Sequence, residues 1–262
     1  MPASPPSRIV LITSALAVPR RLYTPFSRFL AASGVAALSF DYRGFGDSGP
    51  AWRPETEGGL RVLGEHDVAA ALHFAAGMEG IQRVDVVAHS FSLMLFGMAP
   101  NRNLVKRLIS VGSGSPHYAF QPFPRNLLYL FLWGIVVPRS ARVHGYFPGK
   151  RLGLVGDMPE AVAREVAAAC RRRGAFRAEL QDWEGDLWAI GISDDEISPP
   201  AAVDEMHAGI ARARMRHSQL SPVELGLKEI GHYGVFLPTS SAVWGQMASW
   251  LNKDELSEAP VL

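Results

Sequence analysis

Residues 84–98, VDVVAHSFSLMLFGM, constrain the fold more than any other stretch of this chain. The valines before Ser90 indicate a buried β-strand, and the apolar residues after it indicate the start of a buried helix. A strand that turns sharply into a helix at a serine is the pattern of a nucleophile elbow, which holds the hydroxyl out of the fold. The backbone N–H of Phe91 would then face a developing oxyanion.

Two positions beside Ser90 depart from the G-x-S-x-G spelling that is usual for such an elbow. Ala88 and Ser92 stand where glycines are common. Both side chains are small, so the two backbone segments can still approach each other closely. The alternative is a strand-to-helix junction whose serine only caps the helix, and this stretch alone leaves both interpretations open.

Strand-like and helix-like segments alternate along most of the chain. Besides the elbow strand and its helix, we expect strands at 8–13, 35–41, 106–111, 187–192 and 223–230, and helices at 24–33, 64–78, 198–214 and 240–251. This alternation predicts an α/β fold, with a mostly parallel sheet flanked by helices.

The alternation stops between residues 113 and 182. This segment is rich in proline and aromatic residues and contains two helical runs, 126–137 and 160–173. An insertion of this kind between two sheet strands is typical of a helical cap over the strand ends. The predicted organisation is therefore a core at 8–112 and 183–252, a cap at 113–182, and flexible tails at 1–7 and 253–262.

The composition argues against several classes of partner and site. The 26 basic and 25 acidic residues nearly balance, which predicts no strong electrostatic partner, and no segment resembles a nucleic-acid-binding module. The arginine clusters at 171–173 and 212–216 are interpreted as solvated helix faces. A single cysteine, Cys170, rules out an internal disulfide, and no Cys/His spacing indicates zinc. We expect neither a metal nor an organic cofactor.

Two apolar segments bear on location. Residues 8–18 have the apolar run and small-residue end of a signal peptide, but with one arginine they fit a buried strand better. Residues 127–137, LLYLFLWGIVV, are too few to cross a bilayer as a helix. We therefore expect a cytoplasmic protein without stable membrane insertion. The oligomeric state stays open.

Three further motifs carry a family resemblance: D-Y-R-G-F-G-D-S-G at 41–49, Y-F-P-G-K-R-L-G at 146–153 and I-G-H-Y-G-V-F at 230–236. With the elbow, they make the chain similar to bacterial α/β-hydrolases of the serine-hydrolase type, in particular the monoglyceride lipase and serine aminopeptidase-like group. The resemblance extends from about residue 8 to residue 251. It implies the α/β-hydrolase fold with a helical cap insertion.

The resemblance also implies a catalytic triad in the chain order Ser…Asp…His. Ser90 matches the nucleophile, and His232 matches the histidine in the loop after the last strand. The family's acid lies in a pattern close to D-x-[IV]-x-P, which Asp195 begins here; Asp194 and then Glu196 are the less favoured acids.

The second oxyanion donor that the resemblance implies is the backbone N–H of Leu16, beside that of Phe91. Ala17 stands where relatives have a glycine, so the geometry of this loop needs testing.

The other histidines are given no catalytic role. His89, directly before the nucleophile, is interpreted as a packing residue, whereas His117 and His144 border the cap and are candidates for lining a pocket. The remaining four are interpreted as surface or helix-face residues: His66, His73, His207 and His217.

These assignments predict a serine hydrolase that cleaves a carboxylic ester or thioester through an acyl-enzyme on Ser90. The aromatic residues of the cap favour an apolar acyl or aromatic group on the substrate. Two alternatives stay open. The first is an acyltransferase or cyclase that uses the same triad. The second is a non-catalytic ligand-binding protein, which the changes at Ala88, Ser92 and Leu93 would fit.

Overall fold

Six parallel strands form the central sheet of the computed structural model, which describes residues 6–50, 58–154 and 156–252. In chain order they are β1 (Arg8–Thr13), β2 (Ala36–Phe40), β3 (Arg83–His89), β4 (Val105–Val111), β7 (Asp186–Ile192) and β8 (Arg214–Leu220). Their spatial order is β2-β1-β3-β4-β7-β8, so β3, which leads to Ser90, lies near the middle of the sheet. A two-stranded antiparallel ladder, β5 (Tyr146–Phe147) with β6 (Met158–Pro159), lies outside it.

Helices connect the strands and cover the sheet. They are α1 (Thr24–Ala32), α2 (Gly59–Val62), α3 (Ala69–Ala76), α4 (Ser92–Met98), α5 (Arg125–Phe131), α6 (Val137–His144), α7 (Glu160–Cys170), α8 (Pro200–His207), α9 (Gly231–Gly234) and α10 (Ser241–Asn252). Two separate apolar clusters pack against the sheet, which accounts for the nearly continuous apolar runs in β1, β3 and β7. The predicted α/β fold with a mostly parallel sheet is confirmed.

The predicted helix at 64–78 begins earlier and is irregular. It starts at α2 and continues through a π-helical turn, Leu63–Val68, into α3. Gly64 lies in that turn, and a Cβ atom there would stand 2.7 Å from the carbonyl oxygen of Leu95 in α4. The turn therefore lets this helix pass very close to the helix that follows the nucleophile.

The prediction for the last strand was wrong. The helix expected at 198–214 ends at His207, and residues 223–230, expected as a strand, form turns and irregular backbone. The last strand is instead β8, which pairs with β7 from Arg214 opposite Asp186 to Leu220 opposite Ile192. Most of β8 is exposed or half-buried because it is an edge strand, so its sequence, RMRHSQL, lacks the apolar run that marks the central strands. Part of the 212–216 arginine cluster thus lies on a strand and not on a helix.

Residues 113–182, for which we propose the role of a cap, lie between β4 and β7. They contain α5, α6, α7 and the β5–β6 ladder. The helix expected at 126–137 continues to His144 through a π-helical turn, Leu132–Val136. Of the expected flexible tails, residues 1–5 and 253–262 lie outside the described residues. Within the described ranges, we find no helix with both the length and the apolarity needed to span a bilayer.

Candidate active site

Ser90 lies in the sharp turn between β3 and α4. Its φ angle is 59°, in the left-handed region that residues other than glycine seldom adopt. The Ser90 N–H donates to the carbonyl oxygen of Val111 at 2.8 Å, which ties the turn to the end of β4. Backbone strain of this kind persists only where the surrounding structure enforces it, and it is concentrated at functional sites.

The side chains of Ser90, His232 and Asp195 form one hydrogen-bonded chain. The Ser90 Oγ atom lies 2.8 Å from His232 Nε2, and His232 Nδ1 lies 2.7 Å from Asp195 Oδ2. His232 and Asp195 are buried, whereas Ser90 is half-buried. Ser90 follows β3 and Asp195 follows β7, whereas His232, expected in a loop, lies in the short helix α9. His232 is 142 residues from Ser90 and 37 from Asp195 in sequence.

The geometry separates the three candidate acids. Asp195 contacts the imidazole through Oδ2, and its Oδ1 accepts the N–H groups of Ile197 and Ser198, both at 2.8 Å. Asp194 instead accepts the N–H of Ile230 at 2.9 Å, next to the loop that carries His232. Glu196 is exposed and forms an ion pair with an arginine of the cap. Asp195 is therefore the acid best placed to hold His232.

Gly112, directly after β4, allows the acid and the imidazole to meet. Its φ angle is 56°, and a Cβ atom there would stand 3.1 Å from Asp195 Oδ2 and 3.4 Å from His232 Nδ1. A side chain would thus crowd the hydrogen bond between Asp195 and His232. Gly112 was not among the predicted site residues, although its place directly after a buried strand was a usable signal.

The loop after β1 brings Leu16 to the same pocket as Ser90 and Phe91. Ala17, the residue expected to disturb this loop, adopts φ 63°, a backbone conformation that favours glycine. The loop therefore keeps the conformation expected of a glycine-containing loop, with an alanine in the strained position. We propose the N–H groups of Leu16 and Phe91 as the oxyanion donors.

Comparison with known proteins identifies the family of the chain. Residues 10–241 match the model of the alpha/beta hydrolase family, which is most of the chain. The protein belongs to the α/β hydrolase family. No curated protein matches its sequence.

Solved structures that this α/β hydrolase resembles share its fold at low sequence identity. One is a soluble variant of monoglyceride lipase from Saccharomyces cerevisiae, in complex with a substrate analogue (14% identity, TM-score 0.71, covering 98% of this chain and 90% of that one). Others are the esterase EaEST from Exiguobacterium antarcticum (16%, 0.63, 95% and 94%) and Est1E from Butyrivibrio proteoclasticus with bound ferulic acid (15%, 0.59, 96% and 92%). The narrower likeness to monoglyceride lipases therefore rests on the fold.

The altered elbow of this hydrolase is held by hydrogen bonds of its own. The Ser92 hydroxyl is fully buried and lies 2.9 Å from three oxygen atoms: Thr13 Oγ1, Thr13 O and His89 O. Ser92 thus links the first turn of α4 to β1, where a glycine would leave this space without a polar group. The departure from G-x-S-x-G is accommodated by added contacts.

A second chain of hydrogen bonds runs behind the triad through His89. Burial lowers the pKa of His89 well below its ordinary value, so the ring is neutral. Its Nε2–H donates to the carbonyl oxygen of His232 at 2.9 Å, because a carbonyl can only accept. Nδ1 must then accept from the Tyr23 hydroxyl at 2.7 Å, and that oxygen accepts the N–H of Ala15 at 2.8 Å.

This chain, which we call the Tyr23–His89 relay, connects the Leu16 loop with the backbone of the histidine loop. His89 was predicted to be a packing residue. In the structure it also forms hydrogen bonds to Tyr23 and to the backbone of His232. The position of His89 beside the nucleophile was a signal for its location, whereas nothing in the sequence indicated Tyr23.

The pocket above Ser90 has a volume of about 110 Å³ and predominantly apolar walls. Its apolar lining includes Leu16, Phe91, Tyr129, Trp133, Met158 and Val166. Gln121 lines it as well, and donates through Nε2 to the carbonyl oxygen of Ile197 at 3.0 Å. Cys170 is buried at the pocket wall, and burial raises the pKa of its thiol to about 11, so the thiol is protonated at neutral pH. His117 and His144 are not among the lining residues.

His207 lies on helix α8, as expected, but on its buried face and not at the surface. It is buried at the end of α8, where Nδ1 lies 2.8 Å from Val203 O and Nε2 lies 3.0 Å from Ser110 Oγ. Burial lowers the pKa of His207 to about 4, which makes it a neutral structural residue. His217 lies on strand β8 and not on a helix. Among the described residues, no group of three or more histidine, cysteine or acidic side chains is arranged to hold a metal.

Proposed function

We propose that this α/β hydrolase cleaves a carboxylic ester or thioester through an acyl-enzyme on Ser90. The observation that carries the proposal is the continuous hydrogen-bonded chain from Asp195 through His232 to Ser90 Oγ, which ends in an apolar pocket. A serine hydroxyl becomes an effective nucleophile only when an adjacent base accepts its proton, and His232 is placed to do so.

In the first half of the reaction, Ser90 Oγ attacks the substrate carbonyl carbon while His232 Nε2 takes the hydroxyl proton. Asp195 holds the His232 tautomer with a proton on Nδ1 and stabilises the imidazolium that forms. The N–H groups of Phe91 and Leu16 stabilise the negative oxygen of the tetrahedral intermediate. His232 then protonates the leaving alcohol or thiol as its bond to the carbonyl carbon breaks.

In the second half, water replaces the leaving group. His232 removes a proton from this water as it attacks the acyl-enzyme. When the second tetrahedral intermediate collapses, the bond from the acyl carbon to Ser90 Oγ breaks, His232 returns the proton to Oγ, and the carboxylic acid leaves. This step uses the same oxyanion donors and needs no metal or organic cofactor.

The character of the pocket supports an apolar acyl or aromatic group. Tyr129, Trp133, Met158 and Val166 offer a contact surface for such a group but few directional polar contacts. The proteins of similar fold include a monoglyceride lipase, an esterase and Est1E with ferulic acid bound, which supports an ester of this kind over a peptide.

A fluorophosphonate probe tests the proposal directly, because it reacts with activated serines. We expect rapid labelling of the native protein and none of the Ser90→Ala variant. A panel of ester and thioester substrates that differ in acyl chain length should then be hydrolysed, with the free acid as product.

The alternatives predict other results. A folded protein that is not labelled would support a non-catalytic binding protein and overturn the proposal. Labelling without hydrolysis of any ester or thioester, but with acyl transfer to an added alcohol, would support an acyltransferase or cyclase.

A further inference from the structure

The outer face of the cap helices is apolar although it faces solvent. Helices α5 and α6, with the π-helical turn between them, form one helical run from Arg125 to His144. Its inner face supplies Tyr129 and Trp133 to the pocket. Its outer face carries large apolar side chains four residues apart, each about half exposed: Leu127, Phe131 and Ile135.

This row, which we call the outer apolar row, continues onto neighbouring residues. Leu128 is 63% exposed, and Phe123, just before α5, is 79% exposed. A single exposed leucine or phenylalanine is ordinary on a protein surface. A contiguous row on one helix face, however, marks an interaction site, and here the opposite face of the same helix lines the active-site pocket.

The charge of the same surface is positive. Arg139 and Arg142 are exposed on α6, and residues 125–144 include no acidic residue; the third arginine of this run, Arg125, forms an ion pair with Glu196. The cap segment, 113–182, contains ten basic and five acidic residues, whereas the whole chain contains 26 and 25. The cap therefore carries a net charge of +5 and the rest of the chain −4, although the chain as a whole is nearly neutral.

We propose that the outer apolar row and the arginines of α6 dock this protein on an anionic lipid surface. Helices with one apolar face and flanking basic residues lie in the plane of the membrane interface: their apolar side chains enter the acyl boundary while basic residues contact the headgroups. A second copy of the chain fits less well, because the helical run 125–144 has no acidic residue that could pair with the arginines of α6 across a symmetric contact.

Docking on lipid does not depend on the proposed ester hydrolysis, but it would place the active-site pocket next to the lipid. Tyr129 and Trp133 face the pocket from the helical run that would lie on the lipid. An apolar ester dissolved in the lipid would then meet the pocket without crossing bulk water. The helical run is amphipathic, so it lies on the surface and does not span it.

Vesicle binding tests the proposal independently of catalysis if all proteins carry the Ser90→Ala substitution. The probes are vesicles of phosphatidylcholine mixed with phosphatidylglycerol, and vesicles of phosphatidylcholine alone. We expect cosedimentation with the mixed vesicles, weakened about ten-fold by Phe131→Ser because a large apolar side chain no longer enters the lipid.

Matched controls place the same changes elsewhere on the surface. Phe74→Ser, at a 62% exposed phenylalanine of α3, should leave binding unchanged. The double variant Arg139→Glu/Arg142→Glu should weaken binding about ten-fold at low salt and less at high salt, because headgroup attraction is screened. Its charge-matched control, Arg21→Glu/Arg28→Glu, at two exposed arginines on or just before α1, should leave binding unchanged.

Three results would overturn the proposal. They are no binding to either vesicle, equal binding to both vesicles, and equal loss of binding in Phe131→Ser and Phe74→Ser. A dimer in solution that dissociates on Phe131→Ser would identify a second copy as the occupant instead. Because vesicle binding is measured on an inactive background, its failure leaves the hydrolase proposal intact, and failure of ester hydrolysis leaves the docking proposal intact.

Discussion

The floor and the roof of the pocket are built in different ways. At the floor, Ser90, Asp195 and His232 are fixed by directional hydrogen bonds and by a left-handed backbone at Ser90. At the roof, Tyr129 and Trp133 from the cap offer mainly apolar surface. Hydrogen bonds depend steeply on distance and angle, whereas apolar contact depends on shape and area.

Reactivity and substrate selectivity therefore reside in different parts of the pocket. A small displacement at the floor misaligns the reacting atoms, so changes there should lower kcat. A change at the roof alters which group fills the pocket, so it should shift the preference among substrates. Substitutions at the floor and at the roof test this division.

Asp195→Asn should cause the largest loss. The asparagine Oδ1 can still accept the N–H groups of Ile197 and Ser198, which turns the amide NH₂ towards His232 Nδ1. His232 would then carry its proton on Nε2 and could not accept the one from Ser90. We expect kcat to fall about 10⁴-fold with the fold preserved, measured by steady-state ester hydrolysis. A loss below ten-fold would remove Asp195 from the triad.

Asp194→Asn is the matched control, because it changes a neighbouring carboxylate that does not contact the imidazole. Its amide oxygen can still accept the N–H of Ile230. We expect kcat to stay within about three-fold of the native value, because the variant keeps the hydrogen bond from the Ile230 N–H.

Gly112→Ala should have the next largest effect. The new methyl group would press on Asp195 Oδ2, and φ 56° is strained for alanine. We expect kcat to fall about ten- to a hundred-fold, because a shift well below 1 Å already misaligns a catalytic pair. The control is Gly145→Ala, where φ is 73° but no atom lies within 4 Å. That variant should lose about 1 kcal/mol of stability from backbone strain alone and keep its kcat.

The Tyr23–His89 relay predicts an intermediate effect. Tyr23→Phe leaves the Ala15 N–H and His89 Nδ1 without their partner, both in a buried place. We expect the free energy of unfolding to fall by about 1–3 kcal/mol. The rate of labelling by fluorophosphonate should fall about ten-fold. The Leu16 loop would be held less firmly, so the Leu16 N–H would stabilise the negative oxygen of the transition state less well.

His89→Gln breaks the same relay at its other member. If the two groups act as one connected unit, the double variant should be affected less than the sum of the single variants. Additive losses in the labelling rate would show that Tyr23 and His89 act separately.

At the roof, Trp133→Ala should change selectivity. Removing the indole opens the pocket, so kcat/KM should fall about ten-fold or more for an aromatic acyl ester relative to an acetyl ester. Leu127→Ala, on the outer face of the same helical run, is the control and should leave this ratio unchanged. An equal loss for both esters in Trp133→Ala would contradict the division between floor and roof.

The sequence was informative where one local rule decides the structure. The apolar run before Ser90 predicted a strand, and the structure contains it as β3. Four of the five other expected strands also lie near their predicted bounds. Ser90, Asp195 and His232 were each proposed from a local motif, and the structure places their side chains within hydrogen-bonding distance of one another.

The sequence was less informative where the structure depends on contacts between residues far apart in the chain. Strand β8 is recognised by its hydrogen bonds to β7 and not by its composition, because an edge strand with polar side chains can pair as well as an apolar one. The Tyr23–His89 relay joins residues 66 positions apart in sequence. No periodicity links Tyr23 to His89, so only the folded structure brings them together.

Ser92→Ala should have the smallest effect on catalysis and tests whether the altered elbow is a defect or an adaptation. The change removes a buried hydroxyl that lies 2.9 Å from Thr13 Oγ1, Thr13 O and His89 O. We expect the free energy of unfolding to fall by about 1–2 kcal/mol, measured by urea denaturation, while kcat stays within about three-fold because the Ser90 backbone remains held by Val111. Ser33→Ala removes a similar hydroxyl that bonds Phe29 O at an exposed site and should change stability by less than about 0.5 kcal/mol. If Ser92→Ala were as stable as the native protein, the hydroxyl would contribute nothing to the elbow, and the departure from glycine would be a tolerated substitution without a structural role.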